Sequence, residues 1–315
     1  MSLQLPRRAA GRRGLPRLLT LPALLGIGLV LLAGCSSASQ DEWKRLAMPD
    51  PATLEGESTL ALWQGAWIAA LVTGVVVWGL MAWVVIRYRR RSDDEIPVQT
   101  RYNLPLEIFY TIAPVMMVVV FFSHTVRVQN IALEESACPD NIVEVTGQQW
   151  SWTFNYGLGE KDCDFKEGEG EDESGTEGYA YPSYTYEVGT ASYIPTLYLP
   201  VNESTRFNLH SPDVIHDFGV PGFLMKMDVI PGRVNSYEIT PTRTGSFLGK
   251  CYELCGVYHS RMLFKVEVVT AEEYADYLDT LVADDRESDE PLLGGANAIT
   301  QAGLDDPAES EGESE

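Results

Sequence analysis

The stretch "NIVEVTGQQWSWTFNY", residues 141–156, decides the fold. It is built from Val, Ile, Thr, Trp, Phe and Tyr and alternates apolar with polar side chains, the period-two pattern of a strand with one buried face. Three further stretches read the same way: "TLYLPVNESTRFNLHS" (196–211), "SYEITPTRTGSFLGK" (236–250) and "MLFKVEVVT" (262–270). Gly and Pro turns separate them. Short alternating strands without intervening helices predict an antiparallel β-barrel or sandwich over residues 138–270.

Upstream, the character is different. Arg7, Arg8, Arg12, Arg13 and Arg17 precede the apolar run "LLTLPALLGIGLVLLAG", the order of a secretory signal, so residues 1–34 read as a signal peptide. The run ends in Leu32-Ala33-Gly34-Cys35, which resembles a bacterial lipobox with Cys35 as the lipid anchor. After a mature N-terminal segment (35–60), residues 61–128 predict a two-span transmembrane hairpin. Its first span, Leu62 to Ile86, has no charge over 25 residues; the second carries Glu107 near its start and Pro114 in its middle. Arg87, Arg89, Arg90, Arg91 and Arg101 lie between the spans and place that loop in the cytoplasm. The β region therefore faces outward. The fold class expected is membrane α plus all-β.

The net charge of −22 is uneven. Residues 157–178 form an acidic, Gly-rich insert, and a short helix near 271–281 leads into an acidic tail, read as disordered, that ends at residue 315. No nucleic-acid partner is expected. Four cysteines besides Cys35 lie on the exported side, where thiols normally pair. Cys138 and Cys163 flank the first strand pair and are candidates for a disulfide that tethers the insert.

Cys251 and Cys255 sit in "CYELCGVYHSRM". They can pair with each other, or they can bind metal with His259, Met262 and the upstream His216 of "SPDVIHDFGVPG". Mixed thiolate, thioether and imidazole donors suit copper; a zinc site would leave Met262 unexplained. A single blue copper uses one Cys. Two thiolates can instead bridge two ions, with the Glu253 carbonyl as a further donor, which suggests a dinuclear electron-transfer centre.

This motif, with His216 35 residues before Cys251, resembles the copper-A site of cytochrome c oxidase subunit 2. The resemblance implies a cupredoxin-like domain whose copper ligands are His216, Cys251, the carbonyl of Glu253, Cys255, His259 and Met262. It implies that the Glu253 carboxylate binds a magnesium or manganese ion shared with subunit 1. "GQQWSWTFNY" resembles the family's aromatic segment, where Trp150 would take the electron from cytochrome c; by itself the segment could equally be strand core. "NLPLEIFYTIAP" resembles the start of the second span, where Glu107 would stand at the mouth of a proton pathway. Electrons would pass to haem a of subunit 1, where oxygen is reduced with coupled proton translocation; no catalytic residue is expected in this chain. Asp217-Phe218 after His216, Asn155 and the acidic insert depart from the family pattern. Insert and anchor are similar to actinobacterial forms, which implies a membrane-tethered cytochrome c of the bc complex as donor, within a supercomplex in the bacterial cell membrane. A membrane-anchored copper chaperone, a quinol oxidase subunit and a nitrous oxide reductase domain are the alternatives.

Overall fold

A computed structural model describes residues 37–92, 96, 98–164, 180–190 and 192–295. The signal peptide, Cys35, most of the acidic insert and the chain beyond residue 295 lie outside the described residues. A short helix, α1 (Ser37–Lys44), belongs to a separate N-terminal unit ending at Met48.

Two long helices follow, α2 (Leu54–Arg87) and α3 (Leu104–Ala132), both long and apolar enough to cross a membrane. Helix α2 starts eight residues before the expected span at Leu62 because Thr53 caps it, its hydroxyl accepting from the Gly56 N–H at 3.0 Å. Asn103 caps α3 in the same way: its side chain accepts from the Leu106 N–H, while Glu107 reaches back to accept from the Asn103 N–H at 2.9 Å.

The β domain stacks two sheets. The strands are β1 (Asn141–Gln148), β2 (Ser151–Leu158), β3 (Ser183–Val188), β4 (Thr196–Pro200), β5 (Thr205–His210), β6 (His216–Val220), β7 (Met225–Val229), β8 (Asn235–Ile239), β9 (Gly245–Cys251), β10 (Leu263–Val269) and β11 (Glu287–Ser288). One sheet runs β11-β3-β2-β1-β5-β8, the other β4-β10-β9-β6-β7. Most neighbours are antiparallel as the sequence predicts. Two pairs, β1 with β5 and β4 with β10, are parallel, since long crossovers join them and alternation alone does not reveal strand direction.

Between the sheets lies an aromatic core. Trp152 and Phe154 from β2 meet Phe218 from β6 and Phe264 from β10, with Phe218 and Phe264 stacked at 4.8 Å. Each such ring contributes roughly 1.5–3 kcal/mol of apolar burial. Helix α4 (Ala271–Ala283), closed by a Thr270–Glu273 capping box, covers one end by stacking Tyr277 on Tyr198.

The polar row of β1, expected to face solvent, is buried. Glu144 and Thr146 are each 2% exposed and Asn155 of β2 is fully buried. The cause is residues 284–295, which the sequence assigns to a disordered tail. After β11 adds to the edge of β3, this segment crosses the second face of the sheet over β2 and β1. Cys138 and Cys163 are joined as a disulfide.

Candidate metal centre

His216 opens β6, Cys251 closes β9, and the loop that follows carries Glu253, Cys255, His259 and Met262 before β10 begins. β6 pairs with β9, Phe218 opposite Cys251, so the 34 intervening residues fold back and bring His216 to the loop. The loop is cinched by backbone bonds: Cys251 N–H to Met262 O, and Tyr252 N–H to Asp217 O, both at 3.0 Å.

The donor atoms converge. Cys251 Sγ lies 3.8 Å from Cys255 Sγ, 3.9 Å from His216 Nδ1 and 3.1 Å from the Glu253 carbonyl oxygen. Cys255 Sγ lies 3.6 Å from His259 Nδ1 and 3.7 Å from Met262 Sδ. Both thiols are free rather than bonded to each other. His216 and Met262 are fully buried and the two cysteines nearly so, whereas His259 is half-buried. The donor atoms of His216, Cys251 and Cys255 all fall within 4.8 Å of one another, close enough to hold a metal. All six groups expected from the sequence are therefore together, with the Glu253 carbonyl turned inward and its side chain exposed.

Electrostatics follow from this crowding. Burial pushes the Cys251 thiol up, but His216 and backbone hydrogen bonds at Asp217 of β6 and Glu253 of the loop outweigh it and hold its pKa below the ordinary value. Cys255, buried beside the Cys251 sulfur, is pushed up to about 12. Without a metal, one thiolate is favoured and a second beside it is not; a cation between the sulfurs removes that conflict. The donor set thus fits copper: two sulfurs at bridging separation, two imidazoles, a thioether and a carbonyl.

Asp213 was not singled out by the sequence. Its carboxylate accepts from His216 Nε2 at 2.9 Å, from the Gln149 N–H at 2.7 Å and from the Val214 N–H at 2.6 Å. Burial raises the Asp213 pKa, and these bonds more than reverse it, leaving the carboxyl below its usual range. In turn burial draws the His216 pKa down, and Asp213 and Cys251 lift it above the ordinary value. With Nε2 held by Asp213, Nδ1 is the nitrogen left to face Cys251. An aspartate three residues before a candidate ligand histidine was the available signal.

Trp150 stands in the turn between β1 and β2. Its indole N–H donates to the Cys255 carbonyl at 3.1 Å, and the Gln149 side-chain amide donates to the same oxygen at 2.6 Å. Trp150 is half-buried and packs edge-on against Tyr258 at 5.1 Å; Trp152, by contrast, is wholly core. Glu107 lies far along the chain in the first turn of α3 and is not part of this cluster.

A two-sheet β domain that follows two helices apolar enough to cross a membrane, with a buried sulfur–imidazole cluster able to hold a metal, defines the class: a helix-anchored β domain with a candidate metal site. Residues 141–269 match the family described as cytochrome c oxidase subunit II, periplasmic domain. A "Probable cytochrome c oxidase subunit 2" of Streptomyces avermitilis is 44% identical over 288 residues, covering 86% of this chain and 88% of that protein. The cytochrome c oxidase subunit 2 of Mycobacterium bovis is 37% identical over 314 residues, covering 87% and 84%. The crystal structure of the periplasmic domain of Bradyrhizobium japonicum cytochrome oxidase subunit II is 27% identical, covering 46% of this chain and 96% of that one with a TM-score of 0.36. The chain belongs to the cytochrome c oxidase subunit 2 family. As such it is one subunit of an oxidase complex, and its partners include other oxidase subunits.

Proposed function

We propose that this chain is the electron-input subunit of its oxidase. It accepts electrons from a c-type haem at a dinuclear copper-A centre and delivers them to haem a of subunit 1, where oxygen is reduced and protons are moved. The observation that carries this reading is the pair of free sulfurs 3.8 Å apart, flanked by two imidazoles, a thioether and a carbonyl. When bound, two copper ions supply a one-electron couple shared between them.

The chain's own residues do the rest. Cys251, Cys255, His216 and His259 would hold the copper, with Met262 and the Glu253 carbonyl completing the donor set. The loop's backbone bonds, Tyr252 to Asp217 of β6 and Cys251 to Met262, keep those donors from relaxing when charge changes. The Glu253 carboxylate, exposed at the surface of the loop, would hold a magnesium or manganese ion shared with subunit 1. Trp150, bonded to the carbonyl of one cysteine and half open to solvent, is the electron input from cytochrome c or a membrane-tethered cytochrome c of a bc complex in a supercomplex. Leu254 and Val257, 76% and 84% exposed, offer apolar contacts beside the centre to a partner. Glu107, in the first turn of the second span, is the mouth of a proton pathway. The chain resides in the bacterial cell membrane with its β domain outside, and Cys35 carries a lipid.

An absorption and EPR spectrum of the copper-loaded full chain tests the centre. A mixed-valence, seven-line signal is expected. A lone blue-copper spectrum, or a protein that retains only zinc, overturns the reading.

A further inference from the structure

The described segment after α4, residues 284–295, has no part in the proposed function, yet it is bonded into the domain at Arg286, β11, Leu292 and Gly295. The Arg286 carbonyl accepts from the Thr185 hydroxyl at 2.7 Å and from the Tyr186 N–H at 3.2 Å. Arg286 also pairs with Glu187. The segment then crosses to the polar face of the sheet. There Leu292 N–H donates to Asn155 Oδ1 at 2.7 Å, and its carbonyl accepts from Thr146 at 2.9 Å and Asn155 Nδ2 at 3.3 Å. Beneath it lies a closed polar set in which Glu144 accepts from Asn208 at 2.8 Å and meets His210 Nε2 at 2.7 Å. The crossing ends on Gln148, whose side-chain amide donates to the Gly295 carbonyl at 3.0 Å and accepts from the Gly295 N–H at 3.2 Å.

Gln148 is the last residue of β1. The next two residues are Gln149 and Trp150, the pair bonded to the Cys255 carbonyl, and the Gln149 N–H is bonded to the Asp213 carboxylate that orients His216. One continuous set of bonds thus runs from the C-terminal segment through the β1–β2 turn to both halves of the metal centre. We infer that residues 286–295 are a positioning strap, which fixes the Gln149–Trp150 turn against the metal loop by holding Gln148 from the far side of the sheet. Asn155, where the family pattern often has an acid, is accounted for in the same way: its amide accepts from the Leu292 N–H while donating to the Leu292 and Glu144 carbonyls, and an ionised carboxylate could make only the first of these bonds. Any consequence for electron transfer rests on the reading of Trp150 as electron input; the positioning itself does not.

The test is hydrogen–deuterium exchange on the full-length protein in detergent, comparing wild type with Gln148→Ala, Asn155→Ala, a chain ending at Gly295 and a chain ending at Asp285. Gln148→Ala removes two hydrogen bonds of roughly 1 kcal/mol each, so exchange in the Gln148–Trp152 and Cys255–Tyr258 segments is expected to rise roughly 30-fold. Strands β9 and β10 should stay protected. The chain ending at Gly295 should match wild type, and the one ending at Asp285 should match or exceed Gln148→Ala. Unchanged exchange in the turn, or a rise spread evenly over the domain as a general stabiliser would give, overturns the proposal. If the shorter chain does not fold, the two point variants decide. Trp150→Phe with the strap intact tests the other reading separately: an unaltered rate of electron input removes that role from Trp150 and leaves the exchange result standing.

Discussion

Gly256 follows Cys255 directly and has a φ of +123°, a value that side chains on L-residues rarely adopt. A Cβ built there would lie 3.0 Å from Gln149 Nε2, 3.0 Å from Trp150 Cζ2 and 3.1 Å from Trp150 Nε1. Gly256→Ala therefore acts twice. The backbone strain costs about 1–3 kcal/mol. Relief of the contact moves the two side chains that donate to the Cys255 carbonyl, at roughly 1 kcal/mol per bond lost. The sum, about 3–5 kcal/mol, is below the stability of an ordinary domain, so the variant should fold with its midpoint lowered by about 10 °C or more. Gly232→Ala is the control, because its φ is +73° but no atom lies within 4 Å of the added Cβ. It should cost about 1–2 kcal/mol and leave the centre alone. Thermal denaturation gives the stability, and the absorption spectrum of the copper-loaded protein reports the centre. A Gly256→Ala protein with the thermal midpoint of Gly232→Ala and a wild-type spectrum would refute the claim that Trp150 and Gln149 are pressed against this loop.

Three other outcomes are expected. Asp213→Asn removes the carboxylate that holds His216 Nε2, and loss of such a partner typically weakens metal binding 10–100-fold, which competition with a copper chelator would read. Met262→Leu should leave the metal-free protein within about 1.5 kcal/mol of wild type by denaturation, since the site is a packed core position, while the copper spectrum changes because Sδ is gone. Asp217 is buried, and burial lifts its carboxyl above the usual range despite Lys226. A folded-state pKa above the unfolded one favours folding when the group is protonated, and that contribution is lost as pH rises through the folded pKa. Asp217→Asn, neutral throughout, should gain stability relative to wild type as pH rises, with the gap closing toward the unfolded carboxylate value near pH ~4; denaturation midpoints across that range check it.

Strands β1, β2, β4, β5, β8, β9 and β10 were legible because each carries its own record, as in β1 and β2, where alternation follows from one row of side chains meeting the core; β3, β7 and β11 lie outside the stretches that alternate. So were the ligands, because five of the six donor residues lie within twelve positions and must fall on one loop. What alternation cannot express is a second covering layer. Glu144, Thr146 and Asn155 are polar, and polarity in a strand reads as solvent-facing until something else is known to satisfy those groups. The strap that satisfies them is compositionally acidic and rich in Gly and Pro, and so resembles the tail beyond it. Its order comes from edge pairing with β3 and from backbone bonds to Asn155 and Gln148, none of which has a periodic signature. Asp213 escaped for a related reason. A carboxylate that orients a ligand differs in sequence from one that ends a turn only by its distance from the histidine.

The same distinction between local pattern and long-range bonding governs how the β domain is held to the membrane helices. At the start of α2, Ala52 bonds to Gly222 at 2.7 Å and to Thr242 at 2.8 Å, and the Glu55 side chain accepts from the Thr240 N–H at 3.1 Å. Beyond α3, Ser136 donates to Glu238, Glu135 accepts from Ser236, and Arg206 meets both carboxylates at 3.7 and 3.5 Å. Both helices are thus fastened to β8 and its following turn, the strand at one edge of the six-stranded sheet. A domain attached at one helix could swing about that point. Attachment at two, with Glu55, Arg206 and Glu238 buried or half-buried at the joints, restricts that freedom and would set the height of the metal loop above the membrane. Electron transfer falls off steeply with distance, so under the proposed electron-input role, with the acceptor inside the membrane, this height would be a functional quantity. Breaking Glu238 should therefore slow delivery to the partner while leaving the copper spectrum unchanged, the opposite of what Gly256→Ala does.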